Sequence, residues 1–289
     1  MSPSPCPAVR PASSTPPPGP NTRPGQTLRL CALAALLVFW SAPPARAQVL
    51  SPADVLFLDT TKGQVFVEMR PDLAPKAVER IIMLSREGVY DGLQFHRVVD
   101  RFVAQTGNPN NRDGGVSGHP NLVPEFFVRL TADRLDPVAI RTADGLSGFL
   151  GSVPVQLESS RPRSDRTFRA WGAYCTGVAG MGRGASRDSA NSEIFFMLEP
   201  SRALDHDYTV WGRVVAGLEV IQALNRGEPP TAPDLMRRVR VLADLPASER
   251  PVVTLDRTEL STRIQRLRAS RGADFSICDV EIPVTVAFP

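Results

Sequence analysis

The sequence predicts a mainly β protein whose strands form a closed or sandwiched antiparallel sheet. Short apolar runs bounded by Gly, Pro, Asn and Asp recur along most of the chain, as in all-β domains. Helical spacing appears in only two or three segments, and the strand-helix-strand alternation of parallel sheets is missing. A barrel is the favoured arrangement, although this pattern alone does not separate a barrel from a sandwich.

The N-terminus, residues 1–47, is typical of an export signal. Residues 1–27 are rich in Pro and Ser and contain Arg but no acidic residue. The apolar run Leu30–Trp40 is shorter than the ~20 residues that span a bilayer. Residues 45–47, Ala-Arg-Ala, match the small-residue pattern of a cleavage site. We expect cleavage after Ala47 and a periplasmic or secreted protein; the alternative is an uncleaved segment that anchors the chain to the membrane.

The chain has four cysteines, and their positions bear on whether the mature protein holds a disulfide. Cys6 and Cys31 leave with the predicted signal, so that Cys175 and Cys278 remain. In an oxidising compartment this pair is a candidate disulfide, and two separate buried thiols are the equal alternative. Neither Cys nor His shows the spacing of a metal site, so no metal is expected.

The mature chain opens with a predicted β-hairpin. An apolar run at Val55–Leu58 and a second strand at Gln64–Met69 flank a short loop that contains Gly63. A helix follows, because Pro75 suits a first helical position and apolar residues then recur at helical spacing. Gly88 is typical of the position just beyond a helix C-terminus.

Extended chain is predicted again over residues 93–106, followed by a loop at residues 108–120 that is rich in Gly, Asn, Asp and Pro. Weak apolar runs and Arg-rich polar segments alternate over residues 127–172, and we interpret this stretch as an insertion packed on the surface of the domain. We therefore divide the mature chain into a domain over residues 48–228 and a C-terminal extension, residues 229–289, packed on the barrel. Further elements are predicted as strands at 177–182, 193–198, 209–215, 239–242, 252–255 and 280–286, and helices at 218–224 and 259–270.

Three motifs carry the chemistry. The first is YDGLQFHRVV at 90–99 with FVAQTG at 102–107, the second is GMGR at 180–183 with SANSEIFFM at 189–197, and the third is LD at 204–205 with YTVWGRV at 208–214. Their order and spacing resemble the cyclophilin family of peptidyl-prolyl cis-trans isomerases, from about residue 55 to 224. The resemblance implies a closed antiparallel eight-stranded β-barrel with two or more flanking α-helices.

Prolyl isomerisation makes modest chemical demands. Amide resonance sets a rotation barrier of ~18–20 kcal/mol, and at X-Pro bonds the two isomers differ by only ~0.5–1 kcal/mol. A catalyst therefore needs no nucleophile, metal or cofactor. It needs a hydrogen-bond donor for the prolyl nitrogen and an apolar slot for the ring, both fitted to the twisted state.

The resemblance assigns these roles to particular residues. Arg97 matches the catalytic arginine of the family, and its alternative role is that of a surface arginine in a salt bridge. Gln105 matches the glutamine that orients this arginine and contacts the substrate backbone. Phe102, Phe195 and Leu204 match the apolar floor and walls of the proline slot.

The chain departs from the family pattern at several positions around this slot. Val103 stands where Met is usual, Gly182 and Arg183 replace Ala and Asn, Glu193 replaces Gln, Ala203 replaces Trp, and Tyr208 replaces His. We expect the Glu193 carboxylate to lie near Arg97, where an ion pair pins the guanidinium or competes with substrate. We expect Arg183 to add charge beside the peptide. Together these changes predict weakened but not abolished activity.

The predicted function is isomerisation of X-Pro bonds in exported proteins, with proline-containing polypeptide segments as partners and no cofactor. The alternative is a non-catalytic chaperone or assembly module that binds Pro-containing peptides in the same groove. The net charge of +3 is too small to indicate nucleic-acid binding. A hydrolase or metalloenzyme has no support, because the sequence shows neither a Ser/His/Asp arrangement nor a metal-ligand arrangement.

Overall fold

The computed structural model describes residues 47–112, 116–135, 140–158 and 161–289. The predicted export signal lies outside these ranges, apart from Ala47. Within the described ranges, no helix combines the length and apolar character needed to cross a membrane.

The described chain is built mainly from strands, with three α-helices. The helices are α1 (Pro75–Arg86), α2 (Leu218–Gln222) and α3 (Leu260–Arg271). In chain order the strands are β1 (Gln48–Val49), β2 (Val55–Thr60), β3 (Gly63–Met69), β4 (Arg97–Val99), β5 (Val103–Thr106), β6 (Val128–Thr131), β7 (Ile140–Thr142), β8 (Gly145–Leu150), β9 (Val153–Leu157), β10 (Thr167–Gly172), β11 (Val178–Met181), β12 (Ile194–Met197), β13 (Val210–Ala216), β14 (Met236–Val241), β15 (Val252–Leu255) and β16 (Val284–Ala287).

The main sheet has eight antiparallel strands in the order β14-β2-β3-β13-β11-β12-β5-β4. Between its edge strands, β14 and β4, only isolated bridges are recorded in the described chain, Gln94 with Leu235 and Val98 with Gly227. The chain that leads into β14 thus lies beside β4, where a ladder between the two edge strands would otherwise form. The sheet is an open, curled one, and the predicted closure into a barrel is not confirmed.

One face of the main sheet packs against α1. Val78, Ile81 and Leu84 recur at helical spacing and are buried in one cluster with Phe196 and Trp211 of the sheet. The helix ends at Arg86, and Gly88 beyond it has a φ of +72°. This arrangement leaves the opposite face of β5 and β12 available for a site.

Five strands from the described part of residues 127–172 form a second sheet in the order β6-β10-β9-β8-β7. Its β8–β9 turn is fastened to the main sheet, because Ser152 N donates to Glu68 Oε2 over 2.6 Å. Gly151 has a φ of +54°, and a Cβ at this position would collide with the Glu68 carboxyl. Glu68 itself, on β3, is only 1% exposed. A glycine is therefore required where the turn meets this buried carboxylate.

Strands β15 and β16 of the C-terminal segment form a third sheet with β1, in the order β1-β15-β16. A disulfide joins Cys175 to Cys278, with their Cα atoms 5.0 Å apart. Phe149 of the second sheet, Val253 and Ile277 of this segment and Phe195 of β12 share one hydrophobic cluster. β14, which follows the predicted boundary at residue 228, is an edge strand of the main sheet.

Candidate active site

Strand register brings the predicted catalytic residues together. Arg97 on β4 is the direct partner of Gln105 on β5, and Gln105 is the partner of Phe195 on β12. Phe195 is in turn the partner of Gly180 on β11. Side chains of direct partners share one face of a sheet. Val103 joins this face because it precedes Gln105 by two residues.

Connecting segments complete a cavity of about 260 Å³ on this face. Phe102 lies in the β4–β5 turn, Leu204 ends a short 3₁₀ turn, and Tyr208 precedes β13. The cavity is lined by nine of the ten predicted catalytic and substrate-binding residues: Arg97, Phe102, Val103, Gln105, Gly182, Arg183, Phe195, Leu204 and Tyr208. The tenth, Glu193, lies behind the lining and contacts Gln105.

The Arg97 guanidinium is held on two sides at the mouth of the cavity. Its Nε donates to Glu228 Oε2 over 2.9 Å, and its Nη1 donates to Gln105 Oε1 over 3.3 Å. Its Cζ lies 5.9 Å from the centroid of the Phe102 ring. Among the contacts of the described residues, these bonds use two of the five N–H donors of the arginine. The other donors are available to a ligand in the cavity.

The expectation for Glu193 requires correction. The ion pair of Arg97 recorded in the structure is made with Glu228, whereas Glu193 reaches Arg97 indirectly. Glu193 Oε2 accepts from Gln105 Nε2 over 2.9 Å, and its Oε1 accepts from Asn108 Nδ2 over 3.0 Å. Because a carboxylate only accepts, it holds the amide nitrogen of Gln105 toward itself and the amide oxygen toward Arg97. The sequence did not reveal this orienting role.

The floor of the cavity is aromatic. The Phe195 ring stacks on Tyr174 with centroids 5.6 Å apart and meets the Tyr208 ring edge-on at 5.9 Å. Gly180 makes this stack possible, because a Cβ there would lie 2.6 Å from the Tyr174 hydroxyl and collide with the Phe195 ring. Burial raises the pKa of Tyr174 well above its usual value, and the nearby Asp205 carboxyl adds to the rise. Tyr174 lies outside the motifs, so the sequence did not identify it.

The positive charge expected from Arg183 beside the peptide is partly offset by Asp207. Arg183 Nη2 lies 2.7 Å from Asp207 Oδ2, and Arg183 Nε donates to the Asp207 carbonyl over 3.0 Å. The guanidinium carbon lies 4.3 Å from the centroid of the Tyr208 ring. Only 9% of the Arg183 side chain is exposed. Arg183 is therefore a packed wall of the cavity, and it shares the Asp207 carboxylate with Arg187, whose Nη2 lies 2.7 Å from Asp207 Oδ1.

A buried carboxylate fixes the wall that carries Leu204. Asp205 accepts from Trp171 Nε1 over 3.1 Å, from Tyr174 N over 3.0 Å and from Arg202 Nη2 over 2.6 Å. Trp171 belongs to β10 of the second sheet, so the inserted residues support the wall of the cavity. The position of Leu204 thus depends on a segment outside the motifs.

The site thus combines the permanently charged guanidinium of Arg97, which has N–H donors available, with an apolar slot whose floor is the Phe195 ring. Such a site can stabilise a twisted amide without forming a covalent bond. His96 is buried, with its Nε2 3.8 Å from Glu193 Oε1, and rotation about an amide bond requires no proton transfer from it. Among the described residues, no group of three His, Cys, Asp or Glu side chains is placed to hold a metal ion.

Comparison with known proteins agrees with this geometry. The family model for cyclophilin type peptidyl-prolyl cis-trans isomerase/CLD matches residues 55–242. A probable peptidyl-prolyl cis-trans isomerase of Brucella suis is 31% identical over 198 residues, which cover 68% of this chain and 84% of the relative. A peptidyl-prolyl cis-trans isomerase-like 1 protein of Rhizopus delemar is 25% identical over 175 residues, covering 61% and 82%.

Among solved structures, the cyclophilin AquaCyp293 from Hirschia baltica superimposes with a TM-score of 0.74 at 28% identity. The match covers 84% of this chain and 94% of that structure. It therefore extends well beyond the residues that carry the three motifs. The chain belongs to the cyclophilin-type peptidyl-prolyl cis-trans isomerases.

Proposed function

We propose that this isomerase acts on X-Pro bonds of exported proteins by arginine-assisted rotation of the prolyl amide. The observation that carries the proposal is the Arg97 guanidinium, which lies at the mouth of an apolar slot with N–H donors still available. The substrates are proline-containing segments of unfolded or partly folded chains, in which both prolyl isomers are populated.

The rotation follows from the chemistry of the site. Phe102, Phe195 and Leu204 grip the proline ring, while the preceding residue turns about the C–N bond. As resonance breaks, the prolyl nitrogen becomes pyramidal, the lone pair that it had shared with the carbonyl becomes localised on it, and Arg97 donates a hydrogen bond to this lone pair. A charge-assisted bond of this kind contributes ~1.5–3 kcal/mol, and it forms only in the twisted state, so it lowers the barrier.

The direct test is a protease-coupled isomerisation assay with a chromogenic proline peptide on the mature protein. We expect Arg97→Ala to lower kcat/KM by about tenfold to a hundredfold, which corresponds to the loss of one such bond. Arg237→Ala is the matched control, because Arg237 is an exposed arginine on β14 away from the cavity. Equal turnover by wild type and Arg97→Ala contradicts the assigned role. Peptide binding without turnover by the wild type favours the non-catalytic binding module instead.

Export is supported by the pattern of residues 1–47 and by the Cys175–Cys278 disulfide, since disulfides persist in oxidising compartments. Expression of the full chain in a Gram-negative host, followed by fractionation and mass spectrometry, tests this part. We expect periplasmic protein whose N-terminal residue is Gln48. Protein of full length that stays in the cytoplasm contradicts export.

A further inference from the structure

Glu228 lies outside all three motifs, yet it contacts the residue on which catalysis is proposed to depend. Arg97 Nε donates to Glu228 Oε2 over 2.9 Å across 131 positions of sequence. The Glu228 side chain is 53% exposed and the Arg97 side chain is 25% exposed. An exposed ion pair contributes little to folding stability. The contact therefore adds little to folding stability, and its direct effect is on the orientation of Arg97.

The backbone fixes Glu228 beside β4, the strand that carries Arg97. Val98 N donates to Gly227 O over 2.8 Å, and Gly227 N donates to Val98 O over 2.9 Å. Gly227 has a φ of +148°, and a Cβ there would lie 2.5 Å from Pro230 Cα. Glu228 follows Gly227 and Arg97 precedes Val98, so the two backbone hydrogen bonds between Gly227 and Val98 place the Glu228 carboxylate next to Arg97.

Two anchors at different atoms fix the plane of a guanidinium. Glu228 binds the Nε side of Arg97, and Gln105 binds Nη1. When two nitrogens of a planar guanidinium are hydrogen-bonded, the group can neither rotate about the side-chain axis nor tilt freely. The donors without a protein partner among the described contacts then hold one orientation before the substrate arrives. Such preorganisation favours the transition state, because the arginine loses no freedom when the amide twists.

We propose that Glu228 is a positioning residue of the isomerase, which acts on the reaction by orienting Arg97. This inference rests on the proposed role of Arg97. It gives the segment before β14, which contains Glu228, a part in catalysis. It predicts an effect on kcat with little change in KM, because the slot that grips the proline ring does not include Glu228.

The variants are Glu228→Gln, which keeps an acceptor but removes the charge, and Glu228→Ala, which removes the anchor. We expect kcat to fall about twofold to threefold in the first and about fivefold in the second, the range of an exposed charge pair. Asp100→Asn is the matched control. Asp100 Oδ1 pairs with Arg226 Nε at 3.3 Å and so binds the same segment without touching Arg97. This control should retain wild-type kcat and KM.

A double-mutant comparison separates positioning from a general loosening of the structure. In an Arg97→Ala background, Glu228→Ala should have no further effect on kcat, since the side chain that it orients is gone. Raised salt should lower kcat of the wild type but not of Glu228→Ala, because salt screens the exposed pair.

Each outcome has a definite meaning. Unchanged or raised kcat in Glu228→Ala overturns the positioning role, and so does a loss of the same size in Asp100→Asn or in the Arg97→Ala background. If Arg97→Ala itself keeps full turnover, the proposed arginine mechanism fails. The two failures are distinguishable, because the first leaves Arg97→Ala impaired and the second does not.

Discussion

Replacing Glu193 by Gln removes one charge from a buried hydrogen-bond relay and leaves its size unchanged. The relay runs from Asn108 through Glu193 and Gln105 to Arg97. Glu193 is 6% exposed, and its two oxygens accept from two amide nitrogens. A glutamine at 193 would turn its own NH₂ group toward one of these donors. Either Asn108 loses its acceptor, or the Gln105 amide rotates and presents its nitrogen to Arg97.

The size of both effects follows from these contacts. A hydrogen bond to a charged group contributes ~1.5–3 kcal/mol, and removing a buried anion returns part of its desolvation energy. We expect the free energy of unfolding of Glu193→Gln to fall by about 1–2 kcal/mol, which lowers Tm by about 2–8 °C. If Gln105 rotates, Arg97 loses the bond from Nη1, and we expect kcat/KM to fall about twofold to fivefold.

Urea denaturation and the protease-coupled peptide assay measure the two quantities on the same preparations. Glu199→Gln is the control for loss of a carboxylate, since Glu199 is exposed just beyond β12, and it should match wild type in both. A rise in turnover for Glu193→Gln would refute the orienting role of the carboxylate. It would mean that the acidic residue restrains the arginine and that the native site is not tuned for rate.

Three further predictions concern the support of the cavity. Asp205→Asn should lower the free energy of unfolding by about 2–3 kcal/mol in urea denaturation and raise KM, because its new NH₂ faces donors of Trp171, Tyr174 and Arg202; wild-type values for both would contradict this account of the wall. Tyr174→Phe should leave stability at neutral pH within about 1 kcal/mol of wild type, because the Tyr174 hydroxyl has no hydrogen-bond partner among the described residues. The pKa of Tyr174 is raised in the folded state, so its contribution to stability is lost as pH rises above ~10, where the tyrosine of the unfolded chain ionises. In unfolding measured against pH, the free energy of unfolding should therefore fall less at alkaline pH in Tyr174→Phe than in wild type. An equal fall in both proteins would contradict the raised pKa of Tyr174. Reduction of the disulfide, which spans 103 positions, should lower the free energy of unfolding by about 4–5 kcal/mol in a comparison of melts with and without dithiothreitol, and two free thiols in the denatured, unreduced protein would rule the bond out.

The strands that carry the motifs could be predicted from sequence, because each motif contains its own alternation. Phe195 and Phe196 are neighbours in one motif, and the pleat sends them to opposite faces, one to the cavity and one to the core. The helix that begins at Pro75 could also be predicted, since a proline at its first position and the spacing of its apolar residues are local signals. Local pattern thus predicted the strands, and the resemblance to the cyclophilin family supplied the nine lining residues of the cavity.

Contacts between distant segments could not be predicted in this way. Glu228 and Arg97 are 131 positions apart, and nothing in the composition of either segment indicates their contact. Tyr174 supports Phe195 from outside every motif. The second sheet was read only as an insertion, because its apolar runs are short and interrupted by arginine. For the same reason the partner of Glu193 was misjudged: charge predicts that a carboxylate will find donors, but not which ones it finds.

The bond from Ser152 to Glu68 has a consequence for protein engineering. Removal of residues 127–172 would be an obvious route to a smaller isomerase. Glu68 on the main sheet, however, is buried beneath the β8–β9 turn of this segment. Excision would remove the backbone donor at Ser152 and expose the carboxylate to water, with Arg70 Nη1, 2.9 Å from Glu68 Oε1, remaining as its partner. Excision would also remove Trp171, whose Nε1 donates to Asp205 behind the wall of the cavity. A shortened enzyme therefore needs new donors for the carboxylates of both Glu68 and Asp205.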